Sequence, residues 1–147
     1  MSPMDETDST DLQLGESAER TFAVSDDAVR AFAEVSGDHN PVHLDEDYAR
    51  RTVFRGRVAH GMLLGAHISA VLGTDLPGPG AIYLSQTLEF EHPVRIPSEV
   101  RVRVEVVELG EHRKATLATV CTVGDQVVAK GWAVVVPPRA RKTRPSA

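Results

Sequence analysis

Asp38 and His43 stand five positions apart in Ser36-Gly37-Asp38-His39-Asn40-Pro41-Val42-His43. A carboxylate is charged at neutral pH and an imidazole titrates near it, so the pair offers an acceptor and a proton carrier with which to activate water. Downstream, His60-Gly61-Met62 opens an apolar run. If that run is a helix, Gly61 lies near its first turn, where backbone N–H groups lack intrahelical partners and carry the positive end of the dipole. An amide there would stabilise a carbonyl oxygen that acquires charge, and glycine has no Cβ to obstruct the approaching group. Ser69 follows Gly61 and Gly65 at four-residue intervals on the same face; its hydroxyl either donates into the site or bonds back to its own helix. Asn40 and Pro41 are expected to aim the loop and not to react, because proline fixes φ and Asn bonds to nearby backbone.

Each of these residues alone has a plainer reading. A carboxylate in a helix-ending turn commonly caps or is solvated, a lone histidine is commonly structural, and a helix glycine commonly permits close packing. Other chemistries find less support. Asp38, His39, His43, His60 and His67 match no standard zinc spacing and no cysteine joins them, so no metal is expected. There is no Gly-x-Ser-x-Gly elbow for a hydrolase and no phosphate-binding glycine loop. Arg139, Arg141, Lys142 and Arg144 read as a solvated terminus, and Trp132 as core or interface.

The chain has 147 residues, suited to one domain, and its net charge of −5 argues against nucleic acid as a partner. Its single cysteine, Cys121, excludes an intrachain disulfide and reads as an unreactive strand residue in a reducing compartment. Asp5, Glu6, Asp8 and Asp11 stand where a secretory signal would need basic and apolar residues, so a cytoplasmic location is expected. The apolar run from Gly61 to Leu72 is too short to span a bilayer, and no membrane association is expected.

Patterning then supplies the elements that must position these groups. Residues 1–17 read as a flexible acidic tail, 18–137 as the domain, and 138–147 as a flexible basic tail. A short strand is expected over Thr21–Val24. Ser25 then caps a helix whose first turn holds Asp26 and Asp27 and which stops near Gly37. Asp38–Pro41 is a turn, Leu44–Arg51 a short helix, and Val58–Leu72 a helix apolar nearly all round, hence buried on most sides. Leu-Pro-Gly-Pro-Gly ends it. Strands follow over Ala81–Phe90, around Val100–Val106, over Lys114–Val123 and over Gln126–Val136, with Gly124-Asp125 as a tight hairpin turn and Leu109–His112 as a looser one. The fold class is α+β, with an antiparallel sheet wrapped around a long central helix in the hot-dog manner. A single curved sheet leaves edges to be covered, which points to a dimer.

On Asp38-His39-Asn40-Pro41-Val42-His43, on His60-Gly61-Met62-Leu63-Leu64, and on the Leu-Pro-Gly-Pro-Gly and Ile-Tyr-Leu-Ser-Gln segments, the chain resembles the MaoC-like (R)-specific enoyl-CoA hydratases over about residues 22–136. The resemblance implies a homodimer that hydrates trans-2-enoyl-CoA to (R)-3-hydroxyacyl-CoA without metal or redox cofactor, coenzyme A being part of the substrate. It implies that Asp38 and His43 hold and activate the water, that the Gly61 N–H binds the thioester oxygen, and that Ser69 supports the site. Which of Asp38 and His43 is the base stays open, as does the carrier of the acyl group. Competing readings are a dehydratase of related acyl thioesters, an acyl-CoA thioesterase, and a non-catalytic acyl-CoA-binding protein.

Overall fold

The computed structural model describes residues 11–139. In chain order the elements are β1 (Ser17–Val24), α1 (Asp26–Ser36), α2 (Pro41–Leu44), α3 (Glu46–Arg50), α4 (Gly61–Thr74), β2 (Ile82–Gln86), β3 (Glu89–Phe90), β4 (Ser98–Leu109), β5 (Ala115–Val123) and β6 (Gln126–Val136). The strands form one sheet in the order β1-β4-β5-β6-β2, with β3 also paired to β6, and every pairing is antiparallel. The sheet's inner face packs on α4.

Alternation in β4 builds that inner face: Val100, Val102, Val104 and Val106 are buried, while Arg101 and Arg103 point outward and reach Glu19 of β1. Leu64, Ile68, Val71 and Leu72 of α4 fill the space opposite, joined by Leu117, Cys121, Ala133 and Val135. Burying each such aliphatic side chain contributes roughly 1.5–3 kcal/mol. The other side of α4 is open, with Met62 60% exposed and Ser69 exposed, so the helix is buried less completely than its composition suggested.

Several boundaries differ from those expected. β1 starts at Ser17, because its polar residues face outward while Ala18 and Val24 are buried in register with β4. The segment before it docks as well: Leu12 is buried, the Gly15 N–H donates to the Val106 carbonyl, and Arg113 pairs with Asp11. Residues 11–16 of the expected acidic tail thus pack on the sheet, and the rest of that tail, like residues 140–147 of the basic one, lies outside the described residues. The helix expected over Leu44–Arg51 is α3, confined to Glu46–Arg50 because the Asp45 side chain accepts the Tyr48 N–H and caps it, and the short α2 over Pro41–Leu44 precedes it unexpected. α4 begins at Gly61 and not at Val58, since Val58 bridges Arg95 and His60 is extended at φ −63°, ψ 134°.

The strand expected over Ala81–Phe90 breaks at Thr87 and Leu88. Gly131 of β6 lies beneath the break, where a Cβ would come within 1.8 Å of the Thr87 carbonyl oxygen; only glycine allows that approach. Gln86 Nε2 donates to Thr87 O and to the buried Thr119 hydroxyl, and the Tyr83 hydroxyl donates to Gln86, which locks the kink in place. The Gly124-Asp125 hairpin forms as expected, joining Val123 to Gln126.

Candidate active site

The acid–base segment is a succession of local caps. Ser25 accepts the Ala28 N–H at the start of α1, and Gly37 ends that helix at φ 81°, a left-handed geometry suited to glycine. The chain then turns: the Asp38 N–H donates to Ser36 Oγ, the Asn40 N–H to Asp38 Oδ1, and the Val42 N–H to Asn40 Oδ1, with Pro41 as the first residue of α2. Asn40 and Pro41 thus sit at the turn between the two polar groups, as their types suggested. His43 lies in the last turn of α2.

Two histidines tie this segment to the one that leads into α4. His43 Nδ1 lies 2.7 Å from the Val58 carbonyl oxygen, and His60 Nε2 lies 2.9 Å from that of Asp38. A carbonyl only accepts, so Nδ1 of His43 and Nε2 of His60 each carry the proton they donate. In its neutral form His43 then keeps an unprotonated Nε2. The rings stack with centroids 3.8 Å apart, and Phe32 of α1 meets His60 edge-on at 4.9 Å. His60 is buried, which lowers its pKa below the ordinary imidazole value and leaves it neutral; its Nδ1 has no partner among the described residues.

Asp38, His43 and Gly61 all line one cavity of about 380 Å³, within the range of small-molecule sites. The rest of its wall is largely apolar, with Val42, Phe54, Val58, Ala59, Met62, Leu64, Phe90, Pro93 and Val94, and its further polar members are His60, Glu91 and His92. Gly61 is the first residue of α4, and its amide has no intrahelical acceptor. The Phe90 ring packs against it, so that a Cβ at this position would meet the ring at 2.7 Å. A carboxylate and an imidazole with a free Nε2 therefore share a pocket with a helix-terminal amide. That combination can hold a water on one side and a carbonyl oxygen on the other.

Donor atoms of Asp38, His43 and His60 lie within 4.8 Å of one another, a composition that resembles a metal-ligand set. The ring geometry fits a metal poorly. Lone pairs lie in the ring plane, and two rings stacked 3.8 Å apart at 28° hold theirs in separate, nearly parallel planes, an arrangement poorly suited to meeting at one ion.

Ser69 is exposed on α4 and is not part of the cavity wall. His39 also faces away, 3.9 Å from Glu34. His67 stacks on Phe22 at 4.0 Å, outside the cavity, with its buried Nε2 lacking a partner among the described residues. Cys121 is buried, which pushes its thiol pKa up to about 12 and keeps it from serving as a nucleophile. Trp132 is 53% exposed, so it is not part of this chain's core. The contributions of Phe54 and of the Phe90–Val94 segment, and the support from His60, were not singled out from the sequence. For Phe90–Val94 the one local signal that the sequence offers is His92-Pro93, a proline just past a strand end.

The fold and this site define a hot-dog enzyme of the hydratase class. The chain belongs to the family of MaoC-like domains, whose family model matches residues 10–130. It is 51% identical over 138 residues to the 3-hydroxybutyryl-CoA dehydratase of Methylorubrum extorquens, covering 93% of this chain and 88% of that protein. It is 49% identical over 129 residues to the (R)-specific enoyl-CoA hydratase of Rhodospirillum rubrum, covering 87% and 90%. Among solved structures, an R-hydratase of Pseudomonas aeruginosa superimposes with a TM-score of 0.85 at 42% identity, covering 92% of this chain and 88% of that one. That of Aeromonas caviae gives 0.83 at 42%, covering 86% and 98%.

His60 and His67 both have pKa values lowered by burial from the ordinary 6.5, so the unfolded chain takes up protons that the folded chain refuses. The stability they contribute is present in full above about pH 6.5 and is lost as pH falls below it. His67→Phe keeps the stack on Phe22 and removes one of the two groups. The melting temperature of this variant should fall less steeply than that of the wild type between about pH 6.5 and pH 5; equal slopes would count against the assignment.

Proposed function

We propose that the protein catalyses the reversible hydration of trans-2-enoyl-CoA to (R)-3-hydroxyacyl-CoA. The observation that carries this reading is the placement of Asp38 and His43 on one cavity with the orphan amide of Gly61. In our mechanism the thioester oxygen accepts the Gly61 N–H, and the positive end of α4 stabilises the enolate that forms as water adds. The water sits between the Asp38 carboxylate and His43 Nε2. Nε2 serves as the base, because Nδ1 is committed to the Val58 carbonyl. The water oxygen bonds to C3, its proton passes to the Asp38–His43 pair, and the pair returns a proton to C2. Loss of water from the hydroxyacyl thioester follows the same steps in reverse, which agrees with one relative being named a dehydratase and another a hydratase.

The apolar wall suits an acyl chain. In this reading neither a metal nor a redox cofactor takes part, and Ser69 supports the site through α4 and not by contact. Buried, singly present Cys121 suits a reducing compartment, the cytoplasm in our reading. No helix among the described residues is long and apolar enough to cross a membrane. We further propose a homodimer. Ile82 and Leu84 on the edge strand β2, together with Phe90, Trp132 and Met62, are 48–60% exposed, a surface that a second copy would cover. Sedimentation should give twice the 15.9 kDa chain mass; a monomer at assay concentration would refute this.

The test of function is loss of the enoyl absorbance of crotonyl-CoA and longer enoyl-CoAs, with (R)-3-hydroxyacyl product, no free thiol released, and a rate unchanged by EDTA. Asp38→Asn and His43→Ala should each lower kcat on the order of 10²–10⁴-fold with the fold retained. Gly61→Pro removes the amide at a first helical position whose backbone suits proline, since His60 already has the conformation that precedes proline, and its Cβ meets the Phe90 ring as that of alanine would. It should fall on the order of 10²–10³-fold below Gly61→Ala, which has a Cβ too but keeps the N–H. Turnover of no enoyl thioester, or thiol release without hydration, would refute the reading.

A further inference from the structure

α2 has four residues, too few to hold a side chain in place by its own hydrogen bonds. His43 stands near its end, where carbonyl groups have no helical donor. Its orientation must come from outside the helix, and the segment 57–58 supplies it. Val58 contributes backbone: its carbonyl accepts from His43 Nδ1, and its N–H lies 3.3 Å from the Val42 carbonyl oxygen. Arg57 contributes the side chain, which is only 16% exposed.

Arg57 Nε donates to the His43 carbonyl oxygen at 2.7 Å, and its Nη2 reaches Asp26 Oδ1, at the start of α1, at 2.6 Å. The Arg57 N–H donates to Glu46 Oε2, at the start of α3, at 3.2 Å. Asp26 is itself fixed, since Arg30 Nε contacts both of its carboxylate oxygens at 3.0 Å. One residue thus fastens the loop before α4 to three helices, and the contact it makes with α2 is the backbone of His43. The planar guanidinium fork can bond a carbonyl and a carboxylate at once, which an ammonium point charge does less well.

We propose that Arg57 is a positioning residue for the hydration reaction: with Asp26 as its anchor, it holds the His43 backbone so that Nδ1 stays on the Val58 carbonyl and Nε2 faces the reacting water. This rests on the hydratase reading for its kinetic consequence, but not for its structural one. Arg57 is not part of the cavity wall, so its loss should act on kcat and leave KM nearly unchanged.

The experiment pairs steady-state kinetics on crotonyl-CoA with ¹⁵N NMR of the histidine rings in the wild type, Arg57→Met, Arg57→Lys and Asp26→Asn. Arg57→Met should lose on the order of 10- to 100-fold in kcat, the scale of a misplaced catalytic group, with KM held within about twofold. Its His43 should pass from the Nδ1–H form to a mixture with the Nε2–H form. Arg57→Lys should fall between wild type and Arg57→Met in both readouts. Asp26→Asn, with Arg57 kept and only its exposed anchor weakened, should show the same two changes to a smaller degree, and it decides the matter if Arg57→Met fails to fold. Wild-type kcat in a folded Arg57→Met, an unaltered His43 tautomer, or an effect on KM alone would overturn the proposal. If the wild type hydrates no enoyl thioester, the functional reading falls, while the tautomer comparison still decides whether Arg57 sets His43.

Discussion

Two hydrogen bonds running in opposite directions hold the site together. His43, in the segment 38–43, donates to the carbonyl of Val58; His60, in the segment 58–61, donates to the carbonyl of Asp38. Each segment therefore supplies both a donor ring and an acceptor carbonyl to the other, and the rings stack where the segments meet. Neither segment is regular enough to keep its shape alone. A bond of this kind is worth on the order of 1 kcal/mol net, but leaving a buried member, the His60 ring or the Val58 carbonyl, unpaired costs about 1–3 kcal/mol. The exchange also fixes which nitrogen of His43 is free, so a structural interaction sets the chemistry.

The remainder of the fold keeps that exchange in register. β4, β5 and β6 present a continuous valine-rich inner face on which α4 rests, and the burial of Leu64, Ile68 and Leu72 sets the height at which the helix begins. The start of the helix matters because its first amide is at the cavity. The break between β2 and β3, made possible by Gly131, turns the chain so that Phe90 and the following loop close the opposite wall. α1 closes the back: Phe32 meets His60, and Asp26 meets Arg57.

Groups that act through local sequence were legible in it. Asp38, His43 and Gly61 carry their side-chain or amide chemistry with them, and Ser25, Gly37, Asn40 and Pro41 bend the chain through contacts with near neighbours. The alternation of β4 reads directly as a buried face. What escaped depends on partners distant in sequence. No pattern near Thr87 signals that Gly131 will lie beneath it, and none near Leu12 signals that the chain before β1 will dock against β4 and the β4–β5 loop. His60 was noted as part of a motif, but its task needed the Asp38 carbonyl, 22 residues away, to become visible. Ser69 shows the limit of helical spacing: it shares a face with Gly61, yet eight positions at 1.5 Å each place it about 12 Å along the axis, away from the cavity.

The central claim is that a water-activating pair and a helix-terminal amide address the two ends of one enoyl thioester. A crystal structure of Asp38→Asn with crotonyl-CoA bound tests it most directly. The account predicts the thioester oxygen at about 2.7–3.1 Å from the Gly61 nitrogen. It also predicts C3 facing His43 Nε2 with room for one water between them. A thioester oxygen bound elsewhere, or an acyl chain that keeps C3 away from His43, would contradict it.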